Sequence, residues 1–107
     1  MPKEYQHKTI AGFFAAHRDR WIKGDLKQFR KNQARFCLVG KVKDLYPDDE
    51  HERIYNRLAY AIKKMFPITY QSVRAKGADQ AGIVVEFNDA KHRRIQDIID
   101  VALEARI

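Results

Sequence analysis

Between Pro47 and Pro67 the apolar residues Ile54, Tyr55, Leu58, Ile62, Met65 and Phe66 recur at short, helix-like intervals. That spacing places them along one face of a helix. Asp48, Asp49 and Glu50 follow a turn at Pro47 and open the segment, where the positive end of the helix dipole favours carboxylates; Lys63 and Lys64 stand in its last turn. Pro67 closes it, because the residue before a proline avoids the α region. A helix with one apolar face has to bury that face against other elements, so the segment commits the chain to a mainly α fold.

The remaining elements are read around it. Thr9 is a capping residue for a first helix over roughly 9–23, whose stripe is Ile10, Phe13, Phe14, His17 and Trp21, with Gly24 at the C-terminal cap. Asp25 to Gln33 is polar and basic, with Leu26 and Phe29 its only apolar anchors, and reads as a short helical turn or an ordered loop. From Ala34 the helical period returns through Leu38, Val42 and Leu45, ending at Pro47. Gly40 inside that helix costs up to ~1 kcal/mol relative to alanine. Cys37 and Gly40 are three apart and share a face, so tight contact with another helix would offset the cost. Residues 68–87 change character: Ile68, Thr69, Tyr70 and Val73 favour strand, 77–82 is turn-like, and Ile83–Phe87 is the strongest strand candidate. Asn88 or Asp89 then caps a last helix with the stripe Ile95, Ile98, Ile99, Ala102 and Leu103. The expectation is one domain over 1–107, mainly α (α+β), with four helices and a β-hairpin or single strand between the third and fourth.

Charge is unevenly spread. Residues 1–43 hold eleven Lys/Arg against three Asp/Glu, a net of +8, whereas 44–107 hold ten against eleven, a net of −1. A polyanionic partner fits such asymmetry. The cations Arg18, Arg20, Lys23, Lys27, Arg30, Lys31, Arg35, Lys41 and Lys43 are interleaved with Trp21, Phe29 and Phe36. Cations hold phosphates and aromatic rings stack on unpaired bases, although a solvated basic face over a buried aromatic core accounts for the same residues. No complete helix-turn-helix, RNP, KH or zinc-finger signature is present. No apolar run approaches the ~20 residues that span a bilayer, and no apolar leader follows Met1. With a single cysteine, these features point to a reducing, cytoplasmic setting.

Three pieces, Trp21-Ile22-Lys23-Gly24, Phe36-Cys37-Leu38-Val39-Gly40 and Phe87-Asn88-Asp89, resemble a family of small uncharacterised bacterial and phage proteins that carries Trp-x-x-Gly, Cys-Leu-x-Gly and hydrophobic-Asn-Asp steps in this order. The resemblance spans about Ala11 to Ala105. It implies a phage or mobile-element origin and no particular activity. Lys41-Val42 stands where that family has alanine and leucine, and 68–82 is longer than its pattern.

Cys37 carries two readings. A thiol at a helix N-terminus between Arg35 and Lys41 has a lowered pKa and acts as a nucleophile, with His17 or His92 as base and Asp89 to orient it. Alternatively it is a small buried residue beside Gly40. The histidines His7, His17, His51 and His92 contain no i, i+4 metal pair, and no second cysteine supports a zinc site. The acidic cluster Asp48, Asp49, Glu50 and Glu52 is either a weak hard-cation site or a helix start. Asn88-Asp89 either points into a cleft or caps a helix. No metal or cofactor is expected. The functional expectation is a small non-enzymatic protein that binds nucleic acid or an acidic protein surface through 18–43, with no membrane partner. The alternatives are a cysteine-dependent enzyme using Cys37 and a protein–protein interaction module; a nucleic-acid-mimicking inhibitor fits a basic chain poorly.

Overall fold

The structure is a computed structural model that describes residues 9–30, 33–67 and 79–107. The described residues are mainly helical. They form α1 (Ile10–Ala16), strands β1 (Lys27–Arg30) and β2 (Gln33–Phe36), then α2 (Leu38–Leu45), α3 (His51–Met65), α4 (Gln80–Asp89) and α5 (Ile95–Ala105). Short 3-10 turns at Arg18–Arg20 and Asp48–Glu50 precede the hairpin and α3.

The longest helix is where periodicity puts it. Ile54, Leu58 and Ile62 of α3 are fully buried, and the helix packs against α4 and α5. Asp48–Glu50 lies directly before its first turn, the place of a dipole-stabilising acidic start. Helix α1 packs on α5, and α2 on α4. Helix α1 begins where expected, with the Thr9 hydroxyl accepting the Gly12 N–H at 3.0 Å, but it stops at Ala16 instead of continuing to residue 23. Beyond it the backbone is claimed by other segments. Trp21 is extended and bridges to Phe36, and the Ile22 N–H donates to the Phe36 carbonyl at 3.0 Å. Gly24 is not a helix cap. It takes φ +87°, a conformation that favours glycine, and donates its N–H to Asp89 Oδ1 at 3.0 Å.

The described hairpin lies between the first and second helices. β1 and β2 are antiparallel, with Lys27 opposite Phe36 and Phe29 opposite Ala34. Ala34 and Phe36 therefore belong to a strand, and α2 starts only at Leu38, with the Cys37 side chain at its N-cap. The expected strand Ile83–Phe87 is instead part of α4. Ile83, Val84, Phe87 and Asn88 are buried while Val85 and Glu86 face outward, a helical pattern that strict strand alternation cannot give. Asp79 caps this helix, its Oδ1 accepting the Gly82 N–H at 2.7 Å. The expected strand residues Ile68, Thr69, Tyr70 and Val73 lie outside the described residues. Asn88 and Asp89 end α4 and do not cap the last helix. α5 starts after Arg94, whose N–H is accepted by Asp97 Oδ2 at 3.1 Å, and its Leu103 is exposed instead of joining the buried stripe.

Gly40 faces the loop that leads into β1, not another helix. The Leu26 backbone crosses α2 there, and a Cβ on residue 40 would overlap the Leu26 carbonyl oxygen. The same carbonyl accepts the Cys37 N–H at 3.3 Å. Helix propensity and contact thus oppose each other at this residue. Alanine for glycine inside a helix would stabilise by up to ~1 kcal/mol, whereas forcing extra atoms into a filled contact costs typically ~1–3 kcal/mol. Gly40→Ala is expected to destabilise in urea unfolding; a stabilised variant would show that the Leu26 crossing is loose.

Candidate nucleic-acid interface

Of the nine cations read as one face, two lie in the core and four are exposed. Arg20 and Lys41 are core residues, 5% and 2% exposed. Arg20 lies over the Phe13 ring and its Nε donates to the Ala34 carbonyl. Lys41 Nζ stands 3.6 Å from the Phe13 centroid and 4.4 Å from that of Phe36, and pairs with Asp44 at 2.8 Å. A desolvated cation over an aromatic face is worth about 2 kcal/mol, so these two charges hold the fold together and are not available to a partner. Arg35 is half-buried on β2, and its Nε has no hydrogen-bond partner among the described residues. The Arg30 side chain and Lys31 lie outside the described residues.

Arg18, Lys23, Lys27 and Lys43 are exposed. Arg18 donates to the Gln96 side chain on α5, and Lys23 Nζ donates to the Ala90 carbonyl at 2.7 Å. Arg18 is therefore tied to α5 and Lys23 to the α4–α5 connection. Lys27 and Lys43 make no hydrogen bond or ion pair among the described residues. They come together at a shallow depression of about 330 Å³ lined by Leu26, Lys27, Phe36, Gly40, Lys43 and Asp44. Lys43 enters from α2 and Lys27 from β1, so the hairpin fold brings them to one place from sixteen positions apart. Asp44 does not cancel them, because Lys41 already occupies its carboxylate.

Phe29 completes this surface. The expectation makes it an apolar anchor, but its ring is 68% exposed, because its cross-strand neighbour Ala34 is too small to cover it. Lys27 Nζ lies 5.0 Å from the Phe29 centroid and 5.6 Å from that of Phe36, which places the ammonium between the exposed ring and the depression. The period-two pattern Gln33-Ala34-Arg35-Phe36 is the signal that identifies this hairpin. Trp21, by contrast, is half-buried and engaged: its Nε1–H donates to Asn88 Oδ1 at 2.6 Å.

Of the residues proposed for cysteine chemistry, Cys37 and Asp89 have structural roles. Cys37 is 4% exposed, its Sγ accepts the Gly40 N–H at 3.3 Å, and burial pushes its pKa up against the lowering effect of the backbone N–H groups around it. Of the flanking cations, Lys41 is committed to Asp44. His17 ends α1 with its ring 5.2 Å from that of Phe13, and His92 is exposed in the α4–α5 connection. Asp89 accepts the Gly24 N–H and the Asn88 amide, so it orients a loop and not a base. His51 contacts the Tyr46 carbonyl at 2.8 Å. Among the described residues no cluster of three or more His, Cys, Asp or Glu side chains is placed to hold a metal ion, and no described helix is long and apolar enough to cross a membrane.

No protein-family model matches the chain, and neither the curated proteins nor the solved structures include a significant match to it.

Cys37 gives a direct check of this geometry. Its raised folded-state pKa means the native state keeps a proton that the unfolded chain loses, so this contribution is full below the ordinary thiol range and is lost as pH rises through the folded value. Native labelling by a disulfide reagent is expected to be slow and to accelerate on unfolding, with stability declining as the solution becomes alkaline. Equal labelling rates for native and unfolded protein would place the thiol on the surface.

Proposed function

We propose that this chain is a non-enzymatic cytoplasmic protein that binds nucleic acid through the hairpin face formed by Lys27, Phe29 and Lys43. The observation that carries this reading is that Lys27 and Lys43, from two different elements, flank one depression and have no hydrogen-bond or ion-pair partner among the described residues. The concentration of positive charge in residues 1–43 supports it, because solubility does not require a +8 against −1 division. Arg18 and Lys23 extend the basic surface at its α4–α5 side, and Arg20 and Lys41 leave the interface for the core. The cysteine-enzyme alternative loses its basis with the burial of Cys37.

Binding that rests on phosphate contacts releases condensed counterions, so affinity falls steeply with salt, by a log–log slope of about 0.7–0.9 per phosphate neutralised. Lys27→Gln with Lys43→Gln is expected to weaken binding to oligonucleotides of any sequence and to flatten the salt slope by about 1–2. Both residues are exposed, so folding stability should move by no more than about 0.5 kcal/mol. Fluorescence anisotropy across a salt series measures the slope. Identical slopes for the native and doubly substituted proteins, or no binding at low salt, would remove this face as the interface.

A further inference from the structure

The nucleic-acid reading leaves open which form of nucleic acid the face takes, and Phe29 narrows it. Its ring is 68% exposed on β1 and has a cation, not a carboxylate, as its neighbour, with Lys27 Nζ 5.0 Å from its centroid. Leu26, also exposed at 47%, directly precedes Lys27 and walls the adjoining depression. Apolar groups therefore stand in line with the free cations instead of apart from them.

In a duplex every base face is covered by its stacked neighbours, and a protein meets only base edges and phosphates. An exposed phenyl ring gains little from either, since it offers no donor or acceptor and no charge. A single strand offers unpaired base faces joined by phosphates at short intervals, which is the alternation of ring and cation found here. At about 330 Å³ the adjoining depression falls at the small end of ligand-pocket sizes, ~300–1,000 Å³. Its exposed Lys43 and Lys27 can hold a phosphate at the rim while an apolar floor from Phe36 and the backbone at Gly40 accepts a flat group.

Resting on the nucleic-acid reading above, we infer that the hairpin face takes single-stranded nucleic acid, stacking one unpaired base on Phe29 and seating the neighbouring phosphate between Lys27 and Lys43. Every base has a flat face, so the expected selectivity is for strandedness and not for sequence.

The test compares binding of a labelled oligothymidylate with a mixed-sequence duplex of equal length for the native chain, Phe29→Ala, Phe29→Trp and the Lys27→Gln/Lys43→Gln pair. Removal of the ring should weaken single-strand binding roughly 5- to 150-fold, the range that alanine substitution of a stacking aromatic produces, and leave duplex binding nearly unchanged. Phe29→Trp should restore single-strand affinity, and its fluorescence, measured against the native protein with Trp21 alone, should be quenched on binding. Thermal unfolding should be the same for all of them, because Phe29 is exposed. If the lysine pair weakens both nucleic acids while Phe29→Ala changes neither, the stacking inference fails and the electrostatic reading stands. If no form binds at low salt, both fail. If Phe29→Ala instead abolishes a concentration-dependent dimer of the native chain, seen by sedimentation, the ring belongs to a self-association surface and the inference is overturned.

Discussion

Asn88 lies near the end of α4 with no solvent exposure, and its carboxamide is fully used. The oxygen accepts the Trp21 Nε1–H at 2.6 Å and the Leu38 N–H at 3.0 Å; the nitrogen donates to the Ile22 carbonyl at 3.0 Å and to Asp89 Oδ1 at 2.9 Å. Two acceptor positions and two donors are all that this side chain has. Aspartate would lack the donors, and an apolar residue would strand an indole N–H, a helix N-terminal N–H and a carbonyl away from water. Through Asp89 the network continues to the Gly24 N–H, and past Gly24 the Leu26 carbonyl meets the Cys37 N–H and lies against Gly40. The segments Trp21–Gly24, Phe36–Gly40 and Phe87–Asp89, which are far apart in the sequence, are thereby one hydrogen-bonded assembly. It fixes where β1 starts and where α2 begins, and hence where Lys27 and Lys43 stand.

The same assembly explains why counting charge overstates the binding surface. Positive side chains serve the core as well as the exterior. Arg20 and Lys41 bracket Phe13 beneath the hairpin, and on the other side Arg93 lies 3.7 Å from the Phe87 centroid while its Nε donates to the Phe87 carbonyl at 2.8 Å. Burial lowers the Arg93 pKa against the raising effect of Asp97. These cations are held by aromatic faces and carbonyls, so a partner cannot claim them without unfolding what they support. Lys27 and Lys43, exposed and without an ion-pair partner among the described residues, are found where the chain crosses itself at Leu26 and Gly40, and there the exposed ring of Phe29 stands beside Lys27.

What the sequence made legible depended on whether local or distant contacts set the structure. α3 and the buried stripe of α5 were readable, because Ile54, Leu58 and Ile62, and likewise Ile98, Ile99 and Ala102, are spaced for a helix that packs on one side. Ile83–Phe87 reads as a strand because a short run of β-branched residues gives no decisive period, and the signal that marks it as helix is the capping residue Asp79. Spacing carries the first helix too far because Trp21 falls on its stripe, while its indole is taken by Asn88, 67 residues later. No local signal encodes that partner. Local capping accounts for Asn88 and Asp89 in the sequence, whereas their partners Trp21, Ile22, Gly24 and Leu38 are distant in the chain. At the interface the lysines were legible and the exposure of Phe29 was not, since exposure follows from the hairpin register with Ala34.

The dependence of the fold on Asn88 is best measured by equilibrium unfolding of Asn88→Leu, which replaces the amide with an apolar side chain of similar size. Burying the freed Trp21, Leu38 and Ile22 groups without partners costs about 1–3 kcal/mol each, so a loss of at least ~3 kcal/mol is expected. A change within about 0.5 kcal/mol, the usual effect of a surface substitution, would contradict the central place given to this side chain.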